Sequence, residues 1–158
     1  PLLPDLSPLC SAWQLEMELL VALLKEVAPY AEEKGVYVIL EPINKGETHF
    51  INTLAQGLGV CERVDSPSIR LVADVYHMNM EESIVDSVHM AGGRIVHVHM
   101  SSSDRQLPRP DDIDYHAFLQ ALKQIGYKGA LGFECKAPDS TDELRESAAY
   151  VKRLIAES

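Results

Sequence analysis

Residues 69–74 read Ile-Arg-Leu-Val-Ala-Asp, a run of strand formers that stops on a carboxylate, Asp74. Three other stretches have the same form: VYVILE at 36–41, IVHVH at 95–99 and ALGFE at 130–134. Each is short, closes on Glu41, His99 or Glu134, and gives way within a few residues to loop residues and then a helical pattern. Parallel strands that all end this way gather four polar side chains at one rim. Three carboxylates and one imidazole are a hard donor set. It suits manganese, magnesium or cobalt better than a structural zinc, which would favour thiolates.

Outward from these strands the remaining segments read as helices. Residues 11–34 carry apolar positions at helical spacing (Leu15, Leu19, Ala22, Leu23, Val27), with Ser11 as N-cap, Gly35 as stop, and Pro29 expected to kink or break the helix. Further helices are expected over about 53–63, 81–90, from Asp114 as N-cap to Ile125, and from Ser140 to about 156. Ser140 and Glu143 there have capping-box spacing. The string is αβαβαβαβα, and alternation of this kind demands a parallel sheet reached by crossover helices. The expected fold class is therefore α/β, a (β/α) TIM-barrel type with about four parallel strands. A complete eight-stranded barrel takes about 250 residues, so 158 residues are expected to form a single half-barrel domain over 1–158. An arc with two open edges is expected to pair with a second arc.

Composition narrows the partners. With 46% hydrophobic residues the chain can bury a core. A net charge of −10, from 24 acidic and 14 basic residues without a basic stretch, disfavours nucleic acid. No apolar run approaches the ~20 residues of a membrane span, and PLLPDLSPLC lacks the basic start and apolar core of a signal peptide. Cys10, Cys61 and Cys135 are odd in number and far apart, which fits a reducing cytoplasm. Cys135 is read as packing, because alternation turns it away from the Glu134 face.

Alone, each rim residue is an ordinary strand-end acid or core histidine. One on each of four successive strands is not. His97 shares the His99 face one layer deeper and is read as a hydrogen-bonded core residue. Asn44 is read as bonding its own loop, while His49, His89 and His116 have no convergent partners. The five methionines are read as packing.

The segments LEPINKGETHFINT, ADVYHMNMEE, HVHMSSSDR and IGYKGALGFE resemble the xylose-isomerase-like TIM barrels, most closely the ketose 3-epimerase branch of sugar isomerases and epimerases. The resemblance covers nearly the whole chain and matches strands five to eight of that barrel. Glu41 to Asp74 spans 33 positions, Asp74 to His99 25 and His99 to Glu134 35, in agreement with the family pattern. It implies that Glu41, Asp74, His99 and Glu134 are metal ligands, and that Glu47, His77 and Arg105 hold substrate hydroxyls. It also implies a ketose substrate epimerised through a metal-stabilised enediolate, with Glu41 and Glu134 as catalytic base and acid on opposite faces. A second chain, in a homodimer or from another polypeptide, would complete the barrel, or the chain is the remainder of a longer enzyme.

Two departures stand out. Arg109 and Asp111 occupy positions where the family usually has glycine, so left-handed backbone becomes costly near Arg105. Ser102 stands where the family tends to place an acid. Two other readings compete: a non-catalytic half barrel that binds metal or sugar or serves as an assembly module, and an abasic-site endonuclease-like zinc enzyme. For the latter, Asp114-Tyr115-His116 offers a superficial Asp-x-His copy.

Overall fold

The computed structural model describes residues 8–158; the earlier part of the Pro-rich lead, and with it the start of the domain expected over 1–158, lies outside the described residues. Four strands, β1 (Val38–Leu40), β2 (Ile69–Asp74), β3 (Ile95–Met100) and β4 (Leu131–Phe133), form one parallel sheet in sequential order. Six helices alternate with them: α1 (Ala12–Lys34), α2 (Leu54–Val64), α3 (Val75–Glu81), α4 (Ile84–Ala91), α5 (Tyr115–Gln124) and α6 (Thr141–Glu157). This is an arc of a (β/α) barrel, with β1 and β4 at its open edges.

Local chemistry sets the boundaries. The Ser11 hydroxyl accepts from the Gln14 N–H, and Gln14 returns the favour to the Ser11 N–H, a reciprocal cap that starts α1. Gly35, at φ 64°, ends it. The helix runs through Pro29 instead of breaking there. Pro29 faces solvent, where water can satisfy the carbonyl that the missing N–H leaves free.

The edge strands are shorter than their sequence runs because the partner gives out. Val38 pairs with Ile69, the first residue of β2, so Val36 and Tyr37 have nothing to pair with. Phe133 pairs with Met100, the last residue of β3, so Glu134 lies beyond the ladder.

The expected helix over 81–90 is corrected to two. Asp74 caps α3 at once, its Oδ1 accepting the Tyr76 N–H at 2.8 Å. The chain then becomes extended at Glu82 before α4 begins. The Glu82 carboxylate holds this break, accepting the Leu54 N–H at the start of α2 and the Ser87 hydroxyl.

The core lies between the sheet's outer face and the helices. Ile69, Leu71, Ala73, Val98 and Met100 are fully buried there. Gly57 lets α2 approach closely, since a Cβ at that position would sit 2.8 Å from Leu71 Cδ2. Alternation sends Tyr37, Ile39, Arg70, Val72, His97 and Gly132 to the opposite, inner face. There Tyr37 is 58% and Ile39 42% exposed. All three cysteines are free, Cys61 within the core and Cys135 partly buried. No described helix is long and apolar enough to cross a membrane.

Candidate metal centre

Glu41 follows β1, Asp74 closes β2, His99 lies one residue before the end of β3 and Glu134 follows β4. The four meet on the inner side of the C-terminal rim, each offering one ligand atom, all within 4.8 Å of one another. His99 Nδ1 lies 2.9 Å from Glu41 Oε1, 3.1 Å from Glu134 Oε2 and 3.6 Å from Asp74 Oδ2.

One ring nitrogen carries at most one proton, so it cannot serve three carboxylates. Two oxygens are left over: Asp74 Oδ2 and Glu134 Oε2 are buried without a hydrogen bond among the described residues. The 3.1 Å approach of His99 to Glu134 Oε2 is ionic in distance but lacks hydrogen-bond alignment. Three converging carboxylates with orphaned, buried oxygens are the pattern that a divalent cation resolves. The donor set is oxygen-rich with one imidazole, which fits manganese, magnesium or cobalt.

The structure brings Glu47, His77 and Arg105 to the flank of this cluster. Arg105 Nη1 lies 3.1 Å from Glu47 Oε1 and its Nη2 3.5 Å from Glu134 Oε2, while the guanidinium covers the Tyr76 ring at 4.7 Å. The Glu47 carboxyl is held below its ordinary range by the Asn44 amide, and further by Arg105, against the opposing effect of burial.

His77 is buried, with Nδ1 2.8 Å from the Asn44 amide nitrogen and 3.3 Å from the Asn44 backbone N–H. A backbone N–H can only donate, so Nδ1 accepts and the proton resides on Nε2. That Nε2–H lies 3.9 Å from Asp74 Oδ2. Asn44 also accepts the Gly46 N–H, in keeping with the loop role read for it.

The left-handed cost expected near Arg105 falls on Asp111, at φ 59°, and on Arg105 itself, at φ 62°, and not on Arg109. Ser102, fully buried, organises the turn that carries Arg105. Its hydroxyl donates to Asp104 and accepts the Gln106 N–H, and its backbone bonds Gln106 and Arg105. Asp104 is an acid two residues on, but its carboxylate is taken up by Ser102 and Arg109. The Ser102 hydroxyl and then Arg109 hold its carboxyl at about 2, and Arg109 also reaches Asp112 at 3.7 Å.

Other histidines stand apart. The hydrogen bond expected of His97 has no counterpart among the described residues; the ring packs edge-on against His99 at 4.9 Å and lies beside Gly132. His49 meets Glu16 and His89 meets Gln124 at the surface. Asp114 is the N-cap of α5, accepting the Ala117 N–H, and Tyr115 is buried with its hydroxyl on the Ser101 carbonyl, so the Asp-x-His triplet belongs to a helix start. Sequence reasoning missed Tyr76 beneath Arg105 and the Asn44–His77 bond. Tyr76 falls inside the ADVYHMNMEE segment, but nothing in it signals a partner 29 positions downstream.

A family model described as xylose isomerase-like TIM barrel matches residues 11–154. The L-ribulose 3-epimerase of Methylomonas sp. (strain DH-1) is 38% identical over 136 residues, covering 85% of this chain and 48% of that protein. Among solved structures, the D-psicose 3-epimerase from Clostridium cellulolyticum H10 with D-tagatose superposes with a TM-score of 0.86 at 25% identity, covering 96% of this chain and 60% of that one. The apo 3-keto-D-glucoside 4-epimerase from E. coli superposes with a TM-score of 0.83 at 28% identity, covering 94% and 59%. The chain spans about half the length of the curated relatives it matches.

Proposed function

The chain belongs to the xylose isomerase-like TIM-barrel family, and on that premise we propose that residues 1–158 are a single half-barrel domain bearing the metal site of a sugar epimerase. Its substrate is a ketose, and it acts once a second arc closes the barrel. The observation that carries this reading is the rim cluster: Glu41, Asp74, His99 and Glu134 converge within 4.8 Å, and two of their buried oxygens lack a hydrogen bond among the described residues.

When bound there, a divalent cation, manganese first and magnesium or cobalt as alternatives, supplies Lewis-acid charge to the ketose carbonyl oxygen and its neighbouring hydroxyl. The four rim residues hold it. Epimerisation at carbon 3 removes a proton next to the carbonyl and returns it to the other face. Glu41 and Glu134 come from the two edge strands and flank the cluster, so one takes the proton and the other delivers it, a role typically worth 10²–10⁴-fold in rate. Arg105 sits beside Glu134 and Glu47, where it stabilises the oxygen that gains charge, a contribution of about 3 kcal/mol. Glu47 and the His77 Nε2–H orient substrate hydroxyls. An aldose–ketose isomerisation would use the same groups. Relatives named for L-ribulose and D-psicose support the ketose assignment, and the free thiols are in keeping with a cytoplasmic protein.

The test is to titrate manganese into the chain, then measure solvent deuterium incorporation at carbon 3 of a ketose panel, with the chain alone and with a complementing arc. Metal binding and C3 exchange in the closed particle are expected. A second reading, a non-catalytic half barrel, draws on the half-length match to the relatives; metal binding without C3 exchange even in the closed particle would favour it.

A further inference from the structure

We propose that Tyr76 is a positioning residue: its ring is the platform on which the Arg105 guanidinium is fixed between Glu47 and Glu134. The inference rests on the reading above that Arg105 meets the oxygen that gains charge, and adds what holds it there.

Arg105 sits on a strained backbone, at φ 62°, a left-handed conformation that disfavours any residue with a Cβ. Such strain persists only where the surroundings impose it. Here the Arg105 N–H donates to the Ser102 carbonyl, and the Arg105 carbonyl accepts the Lys136 N–H at 2.8 Å. The Lys136 ammonium also reaches the Asp104 carbonyl at 3.3 Å. The turn is thereby tied to the chain just after Glu134, and the arginine side chain is sent inward across the start of α3.

Fixing the backbone leaves a long, flexible side chain to be placed, and the two carboxylates place it only loosely. Glu47 accepts from Nη1 alone, and Nη2 stands 3.5 Å from Glu134 Oε2 without a hydrogen bond. Glu47 and Glu134 are 46% and 43% exposed at the side chain, so water screens both attractions. The remaining restraint is the Tyr76 ring, whose centroid lies 4.7 Å from the guanidinium carbon. A guanidinium over an aromatic face is attracted by the ring, and the contact consumes none of its N–H donors, which stay free for a substrate oxygen. Tyr76 is itself fixed. Its N–H is the one that Asp74 Oδ1 accepts at 2.8 Å, and its ring packs edge-on against His77 at 5.1 Å. Arg105 is thus anchored at both ends next to rim residues: Tyr76 lies two positions after Asp74, and Lys136 two positions after Glu134. The guanidinium is set in the frame of the metal site, which stabilising charge at one particular oxygen requires.

The test begins with NMR of the metal-free full chain carrying isotope-labelled arginine, the Arg105 signals being identified by their loss in Arg105→Met. In the parent and in Tyr76→Phe, the ring should displace the Arg105 δ protons upfield and the Nε–H should exchange slowly with solvent. Tyr76→Leu should abolish the displacement and speed that exchange by about tenfold or more, with the circular dichroism of the parent retained. In C3 exchange with manganese, Tyr76→Leu should lower kcat by about tenfold or more with KM within about twofold of the parent, and Tyr76→Phe should restore kcat. On an Arg105→Met background, Tyr76→Leu should have no further effect. Undisplaced Arg105 protons in the parent, unaltered Nε–H exchange in Tyr76→Leu, or an equal loss of kcat with and without Arg105 would each overturn the proposal. Absence of C3 exchange in the parent would count against the epimerase reading alone, since the metal-free measurement decides by itself whether the ring holds the arginine.

Discussion

The two faces of the sheet are made from the same strands and are opposite in how fully they are satisfied. On the outer face, Leu71, Val98 and Met100 are fully buried against the helices. On the inner face, Ile39 and Tyr37 are open, Arg70 Nε lacks a partner, and the rim leaves Asp74 Oδ2 and Glu134 Oε2 unbonded. The nearby turn at 102–109 sharpens the contrast, because there Asp104 is hydrogen-bonded by Ser102 and paired with Arg109. Satisfied polar groups build structure. Buried groups left wanting are where a ligand or a partner belongs.

Truncation separates the faces most strongly. Leu71→Ala should cost about 3 kcal/mol in urea unfolding, as a fully buried leucine beside close-packed Gly57. Ile39→Ala on the inner face should cost less than about 1 kcal/mol in the isolated chain. Comparable losses at the two positions would mean that the inner face is covered in solution, and the contrast would fall.

Manganese at a hundredfold excess over its dissociation constant should stabilise the chain by about 2.7 kcal/mol, visible as a rise in Tm. Asp74→Asn keeps the Oδ1 that caps α3 but removes the charge. It should lose that stabilisation, with metal affinity down at least a hundredfold by calorimetry, while the metal-free protein melts no lower than the parent. An unchanged manganese response in this variant would exclude Asp74 from the site.

Within the satisfied turn, Ser102→Ala leaves the Gln106 N–H without its acceptor and should cost about 1–2 kcal/mol. The smallest effect is in acid. Asp104 titrates at about 2 when folded against 3.8 in the absence of its partners, so its contribution is complete above pH 3.8 and disappears as pH falls through 2. Carboxyl carbon NMR should find this low value in the parent and a higher one in Ser102→Ala; the same titration in both would show that the hydroxyl is not its cause.

Much of this contrast was legible in the sequence. Period-two alternation put Glu41, Asp74, His99 and Glu134 on one face and at strand ends, because a parallel sheet leaves side-chain direction no freedom. The same alternation placed Arg70 inward, yet nothing in the string indicated that its Nε would lack a partner, since that depends on what surrounds it in space. Helix α3 was invisible for a related reason: Asp74 serves as the last residue of a strand and the first cap of a helix, so no loop residues announce the change. The break at Glu82 is held by the Leu54 N–H, 28 positions away, a distance no local pattern spans.

Asp74 divides its two oxygens between separate tasks, one starting α3 and the other entering the rim. The residue is therefore subject to two independent selections. Serine, threonine and asparagine could begin the helix as well, and glutamate could bring the charge, but only aspartate is short enough for the first duty and anionic enough for the second. Evolutionary drift at this codon should be arrested for as long as the rim has work to do, and its release into the other capping residues would be the first genetic mark of a lineage in which that work has ceased.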